Sequence, residues 1–416
     1  MPFTYIDIFA GAGGLSEGFQ INGFCPIAHV EMKKEACLTL KTRCAYHYLK
    51  ENNELNTYIK YLKKEISRDD FYSQIPQLIL NTVLNETMSE TEMPLLFDQI
   101  DSLMTEQKTG QIDVLVGGPP CQAYSLVGRA RSDTKMVGDP RNYLYTLYCE
   151  VLEKYKPKAF VFENVPGLLT ANGGKYFVDM QTRFIQAGYK LNYKILNSRD
   201  YGVLQNRRRV ILIGWREDLG FDYPEIPEVR ENYLVEDILK DLPPIQPGEQ
   251  NNNYSSDATE YLKKSGIRSE DDILTWHEAR PNLERDREIY RLAIDAWEKD
   301  QSRLKYTDLP EELCTHKNRT SFLDRFKVVA KDKNYTQTMV AHISKDGHYY
   351  IHPDKKQARS ISVREAARIQ SFPDNYYFEG GRTAAYLQIG NAVPPLMASA
   401  IAKQIRRQLE ELDNGN

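Results

Sequence analysis

Long apolar runs are missing from this chain of 416 residues. No stretch reaches the 18 or so apolar residues that a membrane-spanning helix needs, so no membrane contact is expected. Paired cysteines are missing too. The six cysteines (Cys25, Cys37, Cys44, Cys121, Cys149 and Cys314) are scattered, with no C-x-x-C. That excludes a zinc site and a disulfide framework, so no metal is expected, and it points to a reducing, cytoplasmic setting. A strand pattern over Phe3–Phe9 leaves no room for a signal or transit peptide. No internal repeat or low-complexity tract stands out, and neither charge dominates: 54 basic against 58 acidic residues give a net charge of −4. The total therefore does not advertise nucleic acid.

The distribution of charge does. Phe221–Glu312 holds 12 basic and 23 acidic residues, whereas Leu313–Arg368 holds 12 and 5. A basic block after an acidic one suggests a phosphate-facing surface, or a solvated face with no partner. The length suits two domains.

One short stretch organises the rest. Val114–Ser125 reads V-L-V-G-G-P-P-C-Q-A-Y-S. A buried-strand run ends in two glycines, which permit a sharp turn, and two prolines, which stiffen the approach to the cysteine. Cys121 is thereby presented just past the carboxyl end of a strand, where open α/β sheets place their ligands. It reads as a nucleophile or as a small buried hydrophobe.

Thr4–Phe9 is a strand candidate that runs into a glycine turn, Ala10–Gly14, and then a helical pattern. Cys25–Val30 is a second strand, and Glu31 ends it about 20 positions after the turn, where an acid takes ribose hydroxyls. Together these favour an adenosine-containing cofactor. About 52–105 reads as a helical insertion, with Asp98 and Asp101 as possible cofactor acids near a hidden third strand. Leu126–Arg141 is glycine-punctuated and basic, suited to closing over a polyanion or to lying as a surface loop. Ala159–Asn164 is a buried strand ending in Glu163, a carboxylate that is costly there without a partner or a task. Tyr189–Ser198 and Arg209–Trp215 are further strands. Strand alternation would put Arg207 and Arg209 on one face, with Arg208 opposed. Prolines and a polar run mark a boundary from about Phe221. Asn282–Leu304 is an amphipathic helix candidate. Phe322–Val329 and Tyr335–Ile351 read as short strands and turns. Ser362–Phe372 is a helix with a capping box from Ser362 to Glu365, and Leu396–Leu409 is a final helix.

Six blocks occur in a telling order: Asp7–Gly14 (D-I-F-A-G-A-G-G), Gly118–Gln122 (G-P-P-C-Q), Glu163–Val165 (E-N-V), Gln205–Arg209 (Q-x-R-x-R), Arg364–Arg368 (R-E-A-A-R) and Gly390–Pro395 (G-N-A-V-P-P). This set resembles the DNA (cytosine-5)-methyltransferases over nearly the whole chain; 52–105 and about 221–313 match poorly. The resemblance implies an α/β protein. A Rossmann-like domain at 1–220 would bind S-adenosylmethionine. A smaller, mixed target-recognition domain would follow at 221–358, and 359–416 would return as a hinge and C-terminal helix.

It also implies roles. Cytosine C5 is too electron-poor to take a methyl group directly, and a Cys121 thiolate adding to C6 makes it nucleophilic. Glu163 would act at N3, Arg209 would hold O2, and Arg207 would position Glu163 or the active-site loop. Phe9, Ala12, Gly14, Glu31, Pro120, Leu144 and Asn391 would line the cofactor. The Pro119 carbonyl would face the cytosine amino group. The base must be flipped from the duplex, with Ser125, Arg129, Arg131 and Arg141 on flanking DNA. Arg319, Arg325, Lys327 and Gln337 are candidates for reading sequence. The partner expected is double-stranded DNA, with a cognate restriction endonuclease acting on the same site, in a monomeric bacterial cytoplasmic enzyme. A tRNA cytosine-5 methyltransferase of the same fold and an inactive DNA-binding regulator are the alternatives.

Overall fold

Seven runs rich in β-branched and aromatic residues become one sheet. They are Thr4–Ile8 (β1), Cys25–Val30 (β2), Val83–Leu84 (β3), Val114–Gly117 (β4), Ala159–Asn164 (β5), Tyr189–Asn197 (β6) and Arg208–Arg216 (β7). Their order in the sheet is β3-β2-β1-β4-β5-β7-β6. The first five pair in parallel; β7 runs antiparallel to β5, and β6 antiparallel to β7. The computed structural model describes residues 2–120, 143–229, 232–315, 319 and 323–414. The chain divides into two units: Met1–Tyr201 with Arg208–Val229 and Val393–Asn416, and Gly202–Arg207 with Arg230–Ala392. Among the described residues no helix is long and apolar enough to cross a membrane.

The sheet lies in the first unit. β1, β4 and β5 are buried along their whole length, as parallel strands covered by helices on both faces must be. On one face Ile6, Ile8, Leu115, Phe160 and Phe162 meet Tyr148 and Phe184 from the helices Leu144–Tyr155 and Lys175–Gln186. Tyr148 satisfies its hydroxyl within this core, donating to the carbonyls of Leu115 and Val161, each at 3.1 Å. The C-terminal helix Pro395–Asn414 packs on the helix Gly14–Gln20. Their approach is closest at Gly18, where a Cβ would lie 2.4 Å from the carbonyl carbon of Ala398.

The second unit has little regular pairing. Helix Glu284–Asp300 places Ile289, Tyr290, Ala293 and Ile294 against Tyr306, Phe326, Val328 and Ile351. Helix Val363–Ile369 carries the expected capping box: Glu365 N–H donates to Ser362 Oγ at 3.1 Å and Ser362 N–H to Glu365 Oε2 at 2.6 Å. Its charges face inward. Arg359 reaches Glu365 at 2.7 and 2.8 Å, and Arg368 grips Asp241 at 2.6 Å and Asp374 at 2.6 Å. All of these groups are buried.

Several expectations need correction. The third strand is Val83–Leu84, inside the insertion, and it ends at Asn85. Asp98 and Asp101 instead lie on the helix Met93–Glu106, where Asp101 pairs with Lys154 at 2.8 Å. A two-residue strand is too short to leave a periodic signal. The second unit runs on to Ala392, not 358, and includes Gly202–Arg207. Buried hydrogen bonds tie the R-E-A-A-R helix to its earlier part: Arg364 donates to the Thr275 carbonyl at 2.9 Å. Gly390 and Asn391 end a separate helix, Arg382–Asn391. At 323–351, described pairing in place of the expected strands is limited to isolated bridges, Val328 with Ile351 and Gln205 with Thr336. The basic block is also less outward than its composition suggests. Of its five arginines, Arg359, Arg364 and Arg368 are fully buried among acids and carbonyls.

Candidate active site

The glycine turn begins with strain. Phe9 leaves β1 with φ of 57°, an uncommon region for an aromatic residue, and Gly11 and Gly13 follow at 56° and 79°. The turn closes when Gly13 N–H donates to the Ala10 carbonyl at 2.9 Å. Glu31 reaches it from the end of β2. Its carboxylate accepts from the Gly11 N–H at 2.9 Å and from the Lys33 N–H at 2.7 Å. An acid is thus held at the mouth of the turn with lone pairs to spare. Asn85, just past β3, braces this corner: its amide donates to the carbonyls of Glu31 and Met32 at 3.1 and 3.0 Å. Ala12 and Gly14 are buried, and Phe9 is half-buried against the core.

Beneath the turn lies a buried polar cluster. Ser16 Oγ bonds His29 Nε2 at 2.7 Å and the Tyr5 hydroxyl. Burial holds the His29 imidazole down at about 3, so it is neutral at physiological pH. Burial, and then the charge of Glu31, push the Asp7 carboxyl well above the usual carboxylate range. Its Oδ2 has no hydrogen-bond partner. Asp7 opens the first motif, but nothing in its sequence surroundings announced a protonated acid there.

The second half of the site forms where β4, β5 and β7 end side by side. Gly117 pairs with Phe162 and Glu163 with Ile211. Glu163 Oε1 accepts from Arg209 Nε at 2.7 Å, both side chains being 11% exposed. The second carboxylate oxygen lies over Gly118, where a Cβ would stand only 2.7 Å from it. Arg209 Nη1 donates to the Arg208 carbonyl at 2.8 Å. Asn164 locks the turn: its Nδ2 donates to the Pro119 carbonyl at 3.2 Å and its Oδ1 accepts from Val165 N–H at 2.9 Å. A carbonyl has two lone pairs, so Pro119 keeps one. Pro119 is buried and Pro120 exposed. Leu144 opens its helix half-buried against the core.

Arg207 does not share a strand face with Arg209. It precedes β7, belongs to the second unit, and donates to the carbonyls of Met339 and Gly390. The alternation rule fails because the strand starts one residue too late. Asn391 is exposed at the end of its helix in the second unit. There too, Lys327 pairs with Asp324 at 2.9 Å, Arg325 rests 5.7 Å from the Tyr306 ring, and Arg319 pairs with Glu311. Gln337 donates its amide to the Tyr349 carbonyl. Cys121, Ser125, Arg129, Arg131 and Arg141 lie outside the described residues. Burial pushes the thiols of Cys37, Cys44 and Cys149 up to about 12, leaving them protonated and inert.

The profile of a family described as C-5 cytosine-specific DNA methylase matches residues 3–69 and 90–407. The chain is 43% identical over 437 residues to the type II methyltransferase M.Bpa9945I of Bacillus paralicheniformis, covering 96% of this chain and 98% of that one. It is 30% identical over 472 residues to the type II methyltransferase M.AgeI of Thalassovita gelatinovora, with 96% and 98% covered. Among solved structures, a prophage-encoded E. coli protein described as a DNA modification methyltransferase superposes with a TM-score of 0.63. That likeness is at 20% identity and covers 98% of this chain and 99% of that one.

Proposed function

Because this chain belongs to the C-5 cytosine-specific DNA methylase family and is a DNA cytosine-5 methyltransferase, we propose that it methylates C5 of a flipped-out cytosine in duplex DNA through a covalent Cys121–C6 adduct. It does so as the modification enzyme of a bacterial type II restriction–modification system, protecting the sequence that a cognate endonuclease cuts. The observation that carries the reading is the Glu163–Arg209 pair, clasped at 2.7 Å beside the Gly118–Pro119 turn.

The residues at the glycine turn fit S-adenosylmethionine. Glu31 is a carboxylate acceptor fixed by two backbone N–H groups, suited to ribose hydroxyls. Phe9, Ala12 and Gly14 line the turn, and Pro120, Leu144 and Asn391 complete the set assigned to the cofactor. When bound, the cofactor's sulfonium supplies an electrophilic methyl group.

The chain's own residues do the rest. The Cys121 thiolate attacks C6, and the electron pair displaced from the C5–C6 bond activates C5. Glu163 hydrogen-bonds at N3, where charge collects. Arg209 has Nε on Glu163 and Nη1 on a carbonyl, which leaves Nη2 to hold O2. The free lone pair of the Pro119 carbonyl accepts from the cytosine amino group. Loss of the C5 proton then expels Cys121. Arg207 acts from behind, as a positioning residue. Arg129, Arg131, Arg141 and Ser125 grip flanking phosphates, and Arg325 and Lys327 approach the DNA from the second unit.

The test uses labelled methyl donor with duplex DNA and with tRNA. Incorporation into duplex DNA is expected, and incorporation only into tRNA would overturn the reading. Duplex carrying 5-fluorocytosine should trap a covalent complex through Cys121, because fluorine blocks the final elimination. Binding without trapping would refute the adduct.

A further inference from the structure

The Q-x-R half of the Gln205–Arg209 motif is built into the interior of the second unit. Gln205 is fully buried. Its Oε1 accepts from the Met339 N–H at 2.8 Å, and its Nε2 donates to Gln370 Oε1 at 2.7 Å and to the Ile369 carbonyl at 3.1 Å. Gln370, also fully buried, donates in turn to the carbonyls of Ile389 at 2.6 Å and Ala392 at 3.2 Å. Backbone bonds run alongside: Thr336 N–H to the Leu204 carbonyl and Asn206 N–H to the Thr336 carbonyl, each at 2.9 Å. Thr338 Oγ1 donates to the Asn206 carbonyl at 2.6 Å.

The helix Arg382–Asn391 closes the other side. A Cβ on Gly390 would lie 2.4 Å from Ala341 N and 2.5 Å from the carbonyl carbon of Val340. The Tyr350 hydroxyl accepts from Val340 N–H at 3.0 Å and donates to the Thr338 carbonyl at 2.9 Å. Arg280 holds the Ile343 carbonyl. The backbone of 336–343 is therefore gripped by side chains from separate parts of the unit.

The groups on this mount are different in kind. Val340 is 42% exposed, Lys345 is exposed and His342 is half-buried. One apolar group, one imidazole and one ammonium thus stand on a rigid backbone. Direct readout uses such a set: an apolar group against a thymine methyl, donors against base-edge acceptors, a cation against a base edge or phosphate. Each contact discriminates only while the backbone behind it holds its place to a fraction of an ångström.

We propose that 338–345 is a DNA-reading element, with Val340, His342 and Lys345 facing the duplex, and that Gln205, Gln370 and Thr338 are positioning residues that set its register. This rests on the reading of the second unit as the one that engages DNA. The Q-x-R pair accordingly acts on which sequence is chosen, while Arg209, two residues further along, acts at the cytosine.

The test is methylation of unmethylated plasmid DNA in vitro, read by bisulfite sequencing. It gives the ratio of methylation at the preferred site to methylation at sites one base different. Thr338→Val should raise KM for DNA about 5-fold and lower that ratio about 10-fold, corresponding to one lost hydrogen bond and one relaxed contact. The kcat at the preferred site should stay within about 3-fold, and Thr338→Ser, which keeps the hydroxyl, should restore the ratio. A lower melting temperature with an unchanged ratio would overturn the proposal in favour of a structural role. A fall in kcat with an unchanged ratio would overturn it in favour of a catalytic one. Should Thr338→Val not fold, His342→Ala and Lys345→Ala remove only outward groups. Unchanged KM and ratio in both would equally refute the reading element. Wild-type protein that methylates tRNA and no plasmid would refute the functional reading itself, a separate outcome.

Discussion

Gly118→Ala isolates the geometry of the acid from the stability of the fold. Gly118 does not sit at positive φ, so alanine meets no backbone strain there; its only severe contact is Glu163 Oε2, at 2.7 Å from the new Cβ. Ordinary contact begins near 3.4 Å, so the carboxylate must retreat by about 0.7 Å. It cannot do so freely, because its other oxygen is held by Arg209 at 2.7 Å. The 2.7 Å pair must loosen or the acid must turn away from the substrate side. A misplacement approaching 1 Å at a reacting group costs about 100-fold in rate, whereas a single overpacked methyl at a half-buried turn costs about 1–3 kcal/mol in stability. We expect kcat for methyl incorporation to fall about 30- to 100-fold, with the protein still folded and KM for cofactor little changed. Glu163→Gln supplies the control. If Gly118→Ala acts through the carboxylate, its effect in the Glu163→Gln background should shrink to about 3-fold or less, since the two changes disable one interaction. A kcat within about 3-fold of wild type for Gly118→Ala alone, or full additivity with Glu163→Gln, would refute the placement of Glu163.

Gly18→Ala should instead destabilise the first unit by about 3 kcal/mol or more, seen in urea unfolding, because its Cβ would meet the carbonyl carbon and Cβ of Ala398, both at 2.4 Å. Cys121→Ser should abolish methylation while DNA binding, measured by fluorescence anisotropy, stays near wild type. Glu365→Gln should cost about 3–5 kcal/mol at pH 7, because it leaves the buried Arg359 without its carboxylate. Burial pushes the Glu365 carboxyl up, but Arg359, then His352 and the hydrogen bonds from Arg359, outweigh it and hold it well below the usual carboxylate range. A depressed folded value stabilises above the unfolded value near 4.5 and is lost as pH falls toward the folded one. The gap between wild type and Glu365→Gln, followed by chemical denaturation from pH 7 to pH 3, should therefore narrow only below about pH 4.5. A gap constant across that range would exclude the ion pair as its source.

Much of the candidate site was legible because it is local. A glycine turn after a strand, two prolines before a cysteine and a carboxylate ending an apolar strand each state their chemistry within a few residues. Glu31 could be placed because a strand–turn–helix–strand unit has a nearly fixed length, and the structure puts its carboxylate on the Gly11 N–H. The Ser362–Glu365 capping box was readable for the same reason.

Other features had no local signature. β3 is two residues long, and no periodicity survives in two residues. The basic block Leu313–Arg368 read as outward because a count along the chain does not see Asp241, which lies outside the block and neutralises Arg368 within it.

The sequence by itself determined the chemistry available: a thiol on a stiff mount, an acid and an arginine at strand ends, and a glycine turn for an adenosine-bearing donor. These depend on residue type and short spacing, which covalent geometry alone nearly dictates. Only the tertiary structure decided how the two arginines of one motif divide their work. Arg209 enters an antiparallel strand beside Glu163, whereas Arg207, one residue before that strand starts, turns to carbonyls far along the chain. A buried guanidinium must go where acceptors lie, and that place is set by packing.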